Sequence, residues 1–65
     1  MVINRVRLIA EMARQRVGVA ELAEKAGISR VTLTAVRGGK SCSRNTAGHI
    51  ARALGVTVEY LTQED

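Results

Sequence analysis

A single glycine divides residues 19 to 38 into two short helical patterns. Val19, Leu22, Ala23 and Ala26 recur at i, i+3, i+4 and i+7, which places them on one face of a helix. Gly27 follows, and glycine enters a left-handed C-terminal turn without steric penalty. Ile28 then tucks inward, Ser29 caps a further helix from about Arg30 to Val36, and Leu33 and Val36 supply its inner contacts. Gly38 and Gly39 end it. The pattern predicts a tightly turned helix pair. The outward face of its second member is Arg30, Val31, Thr34 and Ala35.

The same grammar extends over the rest of the chain. Asn4 caps a first helix whose stripe is Val6, Ile9, Ala10 and Ala13, widened by Leu8 and Met12, ending near Gln15 or Arg16. Gly18 is the N-cap of the second helix, and Glu21 and Glu24 complement its dipole. After the polar loop Lys40-Ser41-Cys42-Ser43, Ser43 caps a fourth helix with Ala47, Ile50, Ala51 and Leu54 inward, closed by Gly55. Gly48 inside that helix costs about 1 kcal/mol relative to Ala, and a close helix crossing there is its expected compensation. Thr57 caps a short fifth helix, with Val56 and Leu61 placed as a hydrophobic staple. Five short helices without a strand pattern make an all-α domain, a compact five-helix bundle.

Sixty-five residues suffice for one domain, 1–65, with a small core. Almost half the residues are hydrophobic, chiefly Ala, Val, Leu and Ile, and Tyr60 is the sole aromatic. Such small side chains suit closely approaching helices. Ten Lys/Arg against six Asp/Glu give a formal charge of +4. That balance suits a polyanionic partner or merely a solvated basic surface. Its distribution favours the partner: no acid lies between Glu24 and Glu59, while Arg30, Arg37, Lys40, Arg44 and Arg52 all do. A lone cysteine, Cys42, excludes an intramolecular disulfide and fits a reducing cytosol. No apolar run is long enough for a membrane, and no signal-peptide segment opens the chain, so a cytoplasmic protein is expected. His49 has no second ligand of suitable type nearby, and no nucleophile–base pair or phosphate-binding loop appears. Neither an enzyme nor a metal, cofactor or small-molecule site is expected.

The stretch Val19–Gly38 resembles the helix-turn-helix of the phage repressor/Cro (Xre-type) family. The resemblance rests on Ala23 at the helix crossing, Gly27 at the turn, and Leu22, Ala26, Ile28, Leu33 and Val36 at inward positions. GGK at 38–40 and IARALGVTVEYL at 50–61 extend it over nearly the whole chain. It implies a lambda-repressor-like fold, sequence-specific binding of double-stranded DNA, and transcriptional regulation, expected as a repressor. Three departures stand out. Val19 replaces the Gln common at the first motif position. Arg37 replaces a common Glu and adds positive charge. The fourth helix opens Arg44-Asn45-Thr46-Ala47-Gly48 rather than with leucines, which implies a thinner core there.

In such a domain the second motif helix enters the major groove with its N-terminal residues toward base edges. Arg30 is then a guanine reader through O6 and N7, Val31 and Ala35 meet only a thymine methyl, and Thr34 does either. Ser29, Thr32, Arg37, Lys40, Ser41 and Arg44 are placed for phosphates, as is the backbone N–H of Val19 at a helix N-terminus. Each has a plainer alternative: Ser29 and Thr32 as caps, Arg30, Arg44 and Arg52 as solvated charge. The competing function is a protein-interaction module, antitoxin-like or an adaptor subunit, on the same fold. No separate oligomerisation or sensor domain is expected. Pairing on DNA as a homodimer is expected, through the Ser41–Ser43 loop, the end of the fourth helix and the fifth helix with Tyr60, on the ground that some of Val56, Val58, Tyr60 and Leu61 exceed what one small core buries; the plainer alternative is that these residues simply close the core.

Overall fold

The computed structural model describes residues 1–64. Five helices follow one another: α1 (Arg5–Gln15), α2 (Val19–Ala26), α3 (Arg30–Arg37), α4 (Arg44–Leu54) and α5 (Val58–Thr62). No strand occurs among the described residues. Each start follows from a cap. Asn4, Ser29, Ser43 and Thr57 accept hydrogen bonds from the backbone N–H of Arg7, Thr32, Thr46 and Tyr60, while Gly18 leaves α2 without a side-chain cap.

Three of the ends are built alike. At Arg16-Val17, Gly27-Ile28 and Gly55-Val56 the first residue is left-handed. The N–H of the second returns 3.0 Å to the carbonyls of Met12, Ala23 and Ala51 respectively. This is the double hydrogen-bonded helix stop in which the second residue carries a hydrophobic contact. Val17, Ile28 and Val56 all pack against the core.

That core is Ile3, Leu8, Met12, Leu22, Ala23, Ala26, Leu33, Val36, Ala47, Ile50, Ala51, Leu54 and Leu61. α2 lies at its centre, packed on α3 and α4, while α1 touches α3, α4 and α5. Of the inward residues expected for α2, α3 and α4, Leu22, Ala23, Ala26, Leu33, Val36, Ala47, Ile50, Ala51 and Leu54 are buried, and Val19 at the start of α2 is half-buried.

α1 differs from its expected orientation. Val6 is 68% exposed and Ile9 44%, and Ala10 and Ala13 also face out. Leu8, Met12 and Glu11 face the core instead. Two apolar stripes compete on this helix, and anchoring decides between them. Ile3 is fully buried, and Asn4 ties the helix start to α5 through its N–H to the Leu61 carbonyl (2.7 Å) and its Nδ2 to that of Gln63 (2.9 Å). These contacts fix the rotation that turns Leu8 inward. The rotation also buries Glu11, 8% exposed, which is tolerated because it is fully bonded. Arg14 donates from Nη2 (2.6 Å) and Nε (3.2 Å), and Gln15 Nε2 bridges from Glu11 (3.1 Å) to the Leu54 carbonyl (2.7 Å). The Arg14 hydrogen bonds hold the Glu11 carboxyl below its ordinary value of 4.5, against burial, which pushes it up. The group therefore contributes stability above the ordinary carboxylate range, and that contribution is lost as pH falls through the lowered value.

The chain's first residue is tied down as well. The Met1 amino group donates to the Cys42 carbonyl (2.9 Å), and the Cys42 N–H donates to the Met1 carbonyl (2.8 Å). At the other end of the fold, Leu61 is fully buried and Val56, Val58 and Tyr60 pack half-buried against the core, with the Arg7 guanidinium 4.7 Å above the Tyr60 ring. The apolar surplus expected around α5 is small: Val56, Val58 and Tyr60 help close the core. Of the large exposed apolar side chains, Met1 borders Val58 and Thr62 beside α5, while Val2, Val6, Ile9 and Val31 do not line that groove.

Gly48 does not mark a close crossing. A Cβ placed on it would meet nothing within 4 Å. With ordinary helical backbone and open space, Gly48→Ala is expected to stabilise the domain by about 1 kcal/mol. A thermal melt checks this: the midpoint rises by about 4–8 °C in a domain of this size, and an unchanged or lower midpoint contradicts it.

Candidate nucleic-acid interface

α3 is locked in rotation by Leu33 and Val36, which are 0% and 2% exposed. Its opposite face is therefore fixed. Arg30 and Thr34 are exposed, Val31 is 80% exposed, and Ala35 is half-buried. The helix is eight residues long, about 12 Å at 1.5 Å per residue. The four residues expected to read bases thus lie together on one short, outward-facing surface.

Two concavities flank that surface. The first runs between α2 and α3 and is lined by Val19, Ala20, Arg30, Val31, Thr34 and Ala35. The second lies toward the following loop, where Lys40 and Ser41 border Val31, Thr32 and Ala35. Sequence reasoning anticipated Lys40 and Ser41 near this helix. It missed Ala20, because the meeting of the first turn of α2 with α3 is a tertiary contact. It also missed Arg5, whose side chain packs over the turn after α3: a Cβ on Gly39 would lie 3.2 Å from Arg5 Cδ. Arg5 thereby adds a cation at the C-terminal end of α3.

The remaining candidates divide. Ser29 and Thr32 serve first as the cap of α3, since Ser29 Oγ accepts from the Thr32 N–H (3.0 Å) and donates to Thr32 Oγ1 (2.8 Å). Both stay at the exposed start of the helix. Arg37 is exposed at the last position of α3. Val19 is half-buried, and its N–H lies in the first turn of α2, where no side chain caps the helix. Arg44 is placed apart. It lines neither concavity beside α3 and borders Asn45, Gly48, His49 and Arg52 on the outer face of α4.

The cations on this side have no acidic partner among the described residues. Ion pairs among those residues are Glu11–Arg14 and the 3.9 Å contact Glu21–Lys25. Arg30, Arg37, Lys40, Arg44 and Arg52 form none among the described residues. An outward helix with cations at both ends, beside an uncapped helix N-terminus, attracts an extended polyanion.

The family model of the Cro/C1-type helix-turn-helix DNA-binding domain matches residues 7–61. The chain belongs to this family. No curated protein and no solved structure matches it. As a Cro/C1-type domain it is a DNA-binding regulator, and helix-turn-helix domains place the second helix of their pair in the major groove. No helix among the described residues is long and apolar enough to cross a membrane, and no cluster of three metal-ligating side chains occurs among them.

Proposed function

We propose that the protein is a sequence-specific, double-stranded DNA-binding transcriptional repressor of phage, mobile-element or bacterial type, working in the cytoplasm without cofactor, metal or small-molecule ligand. The observation that carries this reading is the outward face of α3, where Arg30, Val31 and Thr34 stand exposed on a helix pinned from behind by Leu33 and Val36. Arg30 reads a guanine, and Thr34, Val31 and Ala35 meet neighbouring bases. Arg37, Lys40 and Ser41, with the Val19 N–H and the Ser29–Thr32 cap, hold phosphates. Arg44 belongs to this set only through a phosphate beyond the reach of α3.

Two copies act on one site in this reading. The domain's longest extent is 26 Å, short of the roughly 34 Å between successive major-groove faces on one side of B-DNA. One copy therefore covers one half-site, too few base pairs for useful specificity. Selection of bound fragments from random duplex DNA, followed by sedimentation on the selected site, tests function and pairing together. A two-fold symmetric sequence holding two proteins supports the proposal. Absence of any enriched sequence refutes sequence-specific binding.

Arg30→Ala and Lys40→Ala should fail differently. Arg30→Ala is expected to cost about 1–3 kcal/mol on the selected site and to relax preference at one base pair. Lys40→Ala is expected to weaken binding evenly on all sequences and to reduce the slope of log K against log salt by about one. Titrations of both variants against selected and scrambled duplexes at several salt concentrations separate the two roles. An unchanged base preference for Arg30→Ala, or an unchanged salt slope for Lys40→Ala, would contradict the corresponding assignment.

A protein-interaction module is the second reading, and one observation favours it. Val6 and Ile9 on α1, with Val2 in the segment just before it, line an exposed apolar concavity. Binding to random duplex DNA that falls steeply with salt decides for the first reading.

A further inference from the structure

The concavity between α2 and α3 has a composition that phosphate binding does not explain. Val19 and Ala20 form one wall, Val31 and Ala35 the other, and Thr34 completes it beside Arg30. Apart from the Thr34 hydroxyl and the Arg30 guanidinium at its edge, the lining side chains are hydrocarbon. Val31 is the most exposed of the large apolar side chains in the domain, at 80%.

We propose that this notch reads the C5 methyl group of a thymine lying within about two base pairs of the guanine read by Arg30. The inference rests on the DNA-binding reading above and adds the chemical class of base that the site selects. In the major groove the one methyl group a standard base pair offers is that of thymine; cytosine presents only a small C5–H beside its N4 donor, and the purine edges present N7, N6 and O6 donors or acceptors. A hydrocarbon wall pressed against such a polar edge strips its water and returns no partner. The notch therefore accepts thymine and disfavours cytosine and both purines at the same place. Arg30 and Thr34 are one helical turn apart on the same face, about 5.4 Å, which spans one to two base pairs of about 3.4 Å. The guanine contact and the methyl contact thus fall in one short element of sequence. The first turn of α2 takes part directly: a polar side chain at Val19 would fill the notch and replace methyl recognition with hydrogen bonding.

The test removes the methyl and nothing else. In the selected duplex, each thymine is replaced singly by deoxyuridine, and binding is measured by fluorescence anisotropy for the full chain and for Val31→Ser. Val31 contributes almost nothing to the core, so the variant should fold, and its circular dichroism melt verifies this. One deoxyuridine, within two base pairs of the position relaxed by Arg30→Ala, is expected to weaken binding by about 3- to 10-fold, the range one buried methyl supports. Val31→Ser is expected to bind the thymine and deoxyuridine duplexes equally. A further duplex carries 5-methylcytosine in place of that thymine, with guanine opposite. Affinity above that of unmodified cytosine but below that of the thymine duplex assigns the notch to the thymine methyl, and no gain over cytosine, or affinity equal to or above that of the thymine duplex, overturns that assignment. If selected DNA binds but every deoxyuridine swap is silent, or if Val31→Ser keeps the full methyl effect, the notch proposal falls and the DNA-binding reading stands. If no duplex binds at all, both fall.

Discussion

Leu33→Ala is expected to leave the domain largely unfolded at room temperature. Leu33 is fully buried at the centre of α3. That helix has little reason to exist alone, because it is eight residues long and contains Val31, Thr32, Thr34 and Val36, whose β-branched side chains lower helix propensity. It is held by packing against α1 and α2, and Leu33 with Val36 makes up its buried face. Truncating such a leucine costs about 2–5 kcal/mol. A core of this size rarely supplies more than about 3–5 kcal/mol in total, so the loss approaches the whole. Far-UV circular dichroism with urea titration measures it. Leu33→Met conserves volume, should cost under about 1.5 kcal/mol, and serves as the folded control. A Leu33→Ala midpoint close to that of the parent would mean that α3 is held by something other than its inward leucine.

The helix pair was legible in the sequence because its signals do not compete. Leu22, Ala23 and Ala26 define one face of α2, Leu33 and Val36 one face of α3, and Gly27 leaves a single place for the turn. Once the inward residues are known, the outward set Arg30, Val31 and Thr34 follows as their complement. The same spacing rule failed on α1, where Val6 and Ile9 offer as regular a stripe as Leu8 and Met12. What selects between them is non-local: buried Ile3, the Asn4 bonds to the end of α5, and the Arg14 and Gln15 partners that make a buried Glu11 tolerable. Periodicity contains none of these. The Met1–Cys42 backbone pair likewise has no local signature.

Site residues divided along the same line. Residues adjacent to α3 in sequence, such as Lys40 and Ser41, end up adjacent in space. Arg44, a few positions further on, is carried to another surface by the start of α4. Ala20 and Arg5 join the neighbourhood of α3 through packing alone. Small residues and lone cations give no sequence signal of such a role until the helices that carry them have been docked.

Gly27→Val is expected to destabilise the domain by about 1–3 kcal/mol, and the reason is conformational rather than steric. A Cβ on Gly27 would meet nothing within 4 Å, yet the residue sits at φ 71°, ψ 30°. A β-branched residue in that region is strained. Escape to an ordinary φ would break the bonds that close α2, from the Gly27 N–H to Glu24 (3.2 Å) and from the Ile28 N–H to Ala23 (3.0 Å). It would also withdraw Ile28 from the core and change the angle at which α3 leaves α2. Either route removes a large share of the stability so small a domain has. The fold contains its own control. Arg16 occupies the equivalent position at the end of α1 with φ 56°, the only positive φ outside glycine among the described residues. Its side chain is exposed, so Arg16→Gly relieves the same strain without removing a core contact, and its melting midpoint should move upward or stay level while that of Gly27→Val falls. Thermal melts of both variants decide the matter. A Gly27→Val midpoint equal to the parent's would show that the left-handed turn is not what joins the two helices of the motif.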